Sequence, residues 1–73
     1  MATWYSDGNH DWDTTNAWND AEGGGGTAGN PTDGDIAIVQ AGDVVTLTAD
    51  VTSISALKII GTLAGGSGYT ITT

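Results

Sequence analysis

Between positions 7 and 13 every second residue carries a side-chain oxygen: Asp7, Asn9, Asp11 and Asp13. Alternating oxygen donors suit a calcium loop, because this hard cation gathers its carboxylate and carbonyl ligands from a short segment. The pattern departs from an EF-hand where that loop is strictest. Trp12 stands where the turn glycine belongs, and Trp18 stands where a bidentate Glu closes the site. An EF-hand is therefore excluded. A looser Ca2+ site completed by other loops or subunits remains one option; the other is a solvated acidic turn whose side chains bond the local backbone.

The remaining reactive residue types lead to no motif. His10 is the single histidine and cysteine is absent, so the several N and S ligands of a zinc site are lacking. Ser6, His10 and Asp13 could be drawn as nucleophile, base and orienter. No nucleophile elbow or oxyanion loop accompanies them, and His10 reads as a surface or interface residue. The run Gly-Gly-Gly-Gly-Thr-Ala-Gly at 23–29 lacks the Lys-Ser/Thr ending of a phosphate loop and reads as a flexible connector. Paired carboxylates for glycoside hydrolysis need a cleft that a chain of 73 residues supplies only at an oligomer interface. The expectation is a protein without catalytic residues, cofactor or resident metal.

Charge narrows the partners. Nine Asp and Glu oppose one basic residue, Lys58, for a formal net charge of −8. Such a chain is repelled by phosphate backbones and anionic membranes, so neither nucleic acid nor membrane is an expected partner. Residues 1–7 carry no basic segment followed by an apolar one, and the longest apolar run is Ile36 to Val39. A protein made in the cytoplasm without a signal peptide is expected.

The elements that must position these residues fall into two regions of a single domain spanning 1–73. Residues 1–33 hold all three Trp, the His and most turn-forming residues, and no Ile, Val or Leu occurs before Ile36. Residues 34–73 read as strands: 36–40, 44–48, 51–55, 57–60 and 69–72, with Gly65-Gly66-Ser67-Gly68 as the last turn. Alternation predicts Val45 and Leu47 inward, Thr46 and Thr48 outward. Gly34-Asp35 and Gly42-Asp43 punctuate the first two runs. Residues 15–22 read mostly as loop, with a helical turn capped by Asp13 or Thr14 as the alternative. The fold class is all-β: a compact sandwich or meander, or a short β-solenoid-like unit, with a Trp-rich N-terminal loop region.

Trp4, Trp12 and Trp18 with Tyr5 have two readings. Exposed and coplanar, they would form a platform for sugar rings. Buried, they supply most of the apolar bulk of the N-terminal half, folded as a lid over one end of the sheet. Burial within the subunit or at its interface is the favoured reading. The apolar supply is thin and includes no Phe, while twelve Gly must be ordered. Completion of the core by other copies of the chain or by a larger surface is therefore expected, with Trp4, Tyr5, Trp12, Trp18, Tyr69 and Ile71 as candidate interface residues.

The series Trp12, Trp18, Pro31-Thr32-Asp33-Gly34-Asp35-Ile36, Gly42-Asp43-Val44-Val45-Thr46-Leu47, Ile54, Leu57 and Gly61-Thr62-Leu63 resembles the opening coil of right-handed β-helical proteins of phage tails and bacterial surfaces. Size, acidity and Gly/Thr/Ala richness also resemble the small decoration (cement) proteins of tailed-phage heads. That second resemblance implies a structural virion protein on the capsid surface, a homotrimer bound to the major capsid protein and stabilising the shell. The alternative is a carbohydrate- or receptor-binding β module, a tail-fibre piece or small lectin, using Trp4, Trp12 and Trp18.

Overall fold

The computed structural model describes residues 2–52, 54–65 and 69–71. They form an all-β unit of eight strands: β1 (Thr3–Ser6), β2 (His10–Asp11), β3 (Trp18–Asn19), β4 (Ala28–Gly29), β5 (Ile36–Val39), β6 (Val44–Leu47), β7 (Ala56–Ile59) and β8 (Thr62–Gly65). The order is β4-β3-β1-β5-β7 in one sheet and β2-β6-β8 in the other. No helix occurs among the described residues, and 15–22 contains β3 instead of a helical turn.

Pairing decides between the expected architectures. A meander would place β5 beside β6 as a hairpin, yet the two lie in different sheets. β5 pairs in parallel with β1 and β7, and β6 in parallel with β2 and β8. Ile36 meets Ala56, Val44 meets Thr62, and Val51 meets Ile71 in an isolated parallel bridge. One turn of chain therefore takes about 20 residues, the short end of solenoid repeats. Three coils are stacked: β1–β2, β5–β6 with Val51, and β7–β8 with Ile71.

Local chemistry explains the corners. Gly34 and Gly42 have φ of 81° and 83°, a region that a side chain disfavours. The Asp that follows each one ties its corner to the first coil. Asp35 accepts from the Ala2 and Thr32 amides, the Trp4 indole N–H and the Thr32 hydroxyl at 2.9–3.0 Å. Asp43 accepts from the Ser6 hydroxyl at 2.6 Å, and that hydroxyl accepts from the Gln40 amide at 2.8 Å. Ser6 is fully buried and its partners Gln40 and Asp43 are half-buried, so the hydroxyl is satisfied inside the protein.

The core runs through the coils. Trp12, Trp18, Ala37, Val39, Val45, Leu47, Val51 and Ile54 are buried together. Val45 and Leu47 point inward and Thr48 is exposed, as alternation predicts, while Thr46 is half-buried. Between Trp12 and Pro31 the chain leaves the stack and returns. Within this excursion β3 pairs antiparallel with β1 and with β4. The glycine run is thus the loop of a hairpin and not a loose connector. Asn19 Oδ1 holds the amides of Ala21 and Gly26, and Asp20 Oδ1 holds that of Thr27. Of the 51–55 and 69–72 segments only Val51 and Ile71 make bridges, and the 66–68 part of the expected last turn lies outside the described residues.

Candidate functional site

The alternating oxygens of 7–13 have a strand's periodicity. Asn9, Asp11 and Asp13 are exposed, whereas His10 is half-buried and Trp12 buried. Asn9 Oδ1 accepts from the Val44 amide at 2.9 Å, and Asp13 Oδ1 accepts from the Thr48 hydroxyl at 2.6 Å. The segment is pinned to the second coil, not wrapped around a centre. No group of three or more His, Asp or Glu that could hold a metal ion occurs among the described residues. His10 Nδ1 donates to the Asp11 carbonyl at 2.8 Å, and its ring lies edge-on to Trp18 with centroids 5.2 Å apart. Its buried Nε2 finds no partner among the described residues.

Two of the three tryptophans are core residues, and Trp4 packs against that core. Trp18 is fully buried and Trp12 is 8% exposed. Their rings meet at 65° with centroids 4.8 Å apart, and the Trp18 indole donates to the Trp12 carbonyl at 2.9 Å. Trp4 is half-buried, with its indole N–H on Asp35 and its six-membered ring over Gly29, where a Cβ would collide with it. A coplanar platform is therefore absent: two rings cross inside the core and the third is held elsewhere. Burial within the chain also takes Trp12 and Trp18 out of the expected partner surface, while Tyr5 is half-buried in β1 between β3 and β5.

Beside Trp12 lies a half-open hollow of about 170 Å³, bordered by Asp13, Thr48, Ala49, Asp50 and Val51. Small-molecule sites start at roughly 300 Å³. One oxygen of each carboxylate is engaged, Asp13 by Thr48 and Asp50 by the Thr70 amide. These bonds close the corner between coils.

The surface that stands out is the end of the stack. Val39, Val45 and Val51 in the second coil are buried, but their partners in the third coil, Ile59, Leu63 and Ile71, are not. Ile59 is 46% exposed, Ile60 beside it 54%, and Tyr69 44%. β7 pairs only with β5, and β8 only with β6, leaving the far backbone edge of each unpaired among the described residues. No protein-family model, curated protein or solved structure matches this chain. The open end of the coils, which contains Tyr69 and Ile71 of the expected interface set, is the candidate site. Ile59 and Ile60 were missed because 57–60 reads from sequence simply as a strand; their exposure follows from the lack of a covering layer among the described residues.

At the opposite end of the larger sheet β3 and β4 cover β1. Among the described residues the larger sheet is thus covered at the β1 end and open at β7, while in the smaller sheet β2 and β8 are both edges. An unpaired strand edge flanked by alternate apolar side chains is the kind of surface to which a further strand can be added. Among the described residues no helix is long and apolar enough to cross a membrane.

Proposed function

We propose that this chain is a non-catalytic structural module that works by assembly through the open end of its coils. The observation that carries the reading is the loss of burial from the second coil to the third, at the same positions of each coil, where two strand edges also go unpaired. An uncovered edge of this kind is normally blunted, covered or used. Lys58 is the one charged residue on β7 and β8, so charge does little to blunt it.

The proposed setting is the outside of an assembled particle such as a phage head, where the chain would act as a decoration protein on the major capsid protein. The acidic composition supports that setting, since a solvated negative surface suits an outward-facing cap. The trimer expected from the sequence is a proposal for the shell-bound state, with three copies meeting about a symmetry axis of the particle. With Trp12 and Trp18 buried and Trp4 half-buried, the tryptophans offer no coplanar platform, which makes sugar recognition the weaker proposal. Co-sedimentation of the protein with expanded capsids, wild type against Ile60→Lys, tests the role: binding abolished by the substitution is expected. Equal binding by both proteins would refute attachment through this end, and no binding to any shell would refute the capsid setting.

A further inference from the structure

The open end is also distinguished by charge. All nine carboxylates lie at or before Asp50, and residues 51–73 contain none while including Lys58, the one basic residue. Two chains of charge −8 bring carboxylates together across most faces; here β7 and β8 carry none, and Asp50, which accepts from the Thr70 amide, stands at the border. The third coil offers apolar Leu57, Ile59 and Ile60 with a cation beside them. Like charges juxtaposed in an interface are costly, so electrostatics selects this end as the face where a second copy is tolerated.

We propose that the free protein is a twofold dimer, with β7 pairing antiparallel to β7 of a second copy. The proposal rests on the reading of the open end as the assembly surface and names its first occupant. Topology excludes the other simple arrangement. Head-to-tail stacking would require a free β1 at the opposite end, and β3 already occupies it. The other edges there, β2 and β4, are two residues long. Pairing β7 with its own copy is isologous and stops at two, leaving β8 as a remaining edge, whereas a heterologous contact would close into a ring or run on into fibres.

The register follows from side-chain parity. Leu57 and Ile59 stack on the buried Ala37 and Val39, so they face inward, while Ala56 and Lys58 face outward. Antiparallel neighbours directly opposite share a face. A twofold axis through Lys58 would set two ammonium groups opposite each other. An axis through Leu57 sets Leu57 against its own copy, Lys58 against Ala56, and Ile59 against Ser55. The axis through Leu57 is the assigned register.

The absence of cysteine makes the test direct. Residues opposite each other in an antiparallel pair have Cα atoms about 4.5–5.5 Å apart, within disulfide reach. Under mild oxidation of dilute protein, Leu57→Cys is expected to give a covalent dimer, while Lys58→Cys and Thr27→Cys at the hairpin loop stay monomeric on a denaturing gel. Sedimentation equilibrium of the wild type should give twice the chain mass, and Ile59→Lys should give the monomer mass with an unchanged circular dichroism spectrum. A wild-type monomer or trimer at several hundred micromolar would overturn the dimer, and cross-linking through Lys58→Cys in place of Leu57→Cys would overturn the register. A dimer that binds no shell upholds this proposal and sinks the capsid role; a monomer that binds shells does the reverse.

Discussion

Asp35 is the side chain whose loss should be felt most widely, because it joins the N-terminal segment, the 31–35 turn and the second coil. One carboxylate oxygen takes the Ala2 amide; the other takes the Trp4 indole and the Thr32 amide and hydroxyl. These donors, the Ala2 and Thr32 amides foremost, lower its pKa from 3.8 to about 2 against the opposing effect of burial. A carboxyl that is more acidic folded than unfolded adds stability above its unfolded pKa and loses it as the folded form is protonated. The depression corresponds to at most about 2.5 kcal/mol, and solvent screening at a corner of so small a domain leaves roughly 1–2 kcal/mol. Asp35→Asn should lower unfolding stability at pH 7 by about that amount, because the amide keeps one acceptor and turns donors toward the Ala2 N–H. The gap between wild type and variant should be constant above pH 4.5, shrink between pH 4 and pH 2, and close below that. Urea titrations followed by near-ultraviolet circular dichroism provide the assay. A variant as stable as wild type at pH 7, or a gap that does not change with pH, would refute the reasoning.

Two further substitutions probe the stacking of coils and the tryptophan pair. A Cβ on Gly61 would overlap the carbonyl oxygens of Gln40 and Asp43, whereas one on Gly65 meets open space. Gly61→Ala should cost about 1–3 kcal/mol in urea titration and Gly65→Ala next to nothing, although both lie in the third coil. Trp18→Ala should cost about 3–5 kcal/mol, enough to unfold much of the protein at 25 °C, while soluble oligosaccharides should leave the intrinsic fluorescence of the wild type unchanged.

The strands of the second coil were legible because β-branched residues and Gly-Asp corners mark 36–39 and 44–47 directly. The same pairs at 34–35 and 42–43 read as turns, but nothing in them announces that each Asp reaches back to Ser6 or Trp4, more than 30 positions away. β2 was hidden for a different reason. A strand alternating acid-out and aromatic-in over 9–13 has the same spacing as cation ligands, and composition alone does not separate the two periods. β3 and β4 are two residues each, too short for any periodicity, and owe their conformation to pairing with β1 and with each other. The thin apolar supply pointed to a need for neighbours. Which surface they would cover depended on the stacking order, and that emerges only from tertiary pairing.

A gradient of burial along the stack should appear as a gradient of local stability. β5 and β6 have neighbours on both sides, and their inward residues Ala37, Val39, Val45 and Leu47 are buried. β7 and β8 have one neighbour each and expose apolar surface to water. Segments with few buried contacts open at a fraction of the global unfolding free energy. In Ile59→Lys, hydrogen exchange of β7 and β8 amides should therefore be fast, and that of β5 and β6 slow and set by global unfolding. In the associated wild type the β7 amides that point outward from β5 gain acceptors across the axis, so their exchange should slow in proportion to the fraction of protein in complex. The amides of β3, at the covered end of the larger sheet, should show no such concentration dependence. Uniform exchange across all the coils would mean that the third coil is as firmly held as the second without a partner, and the uncovered end would then carry no drive toward assembly.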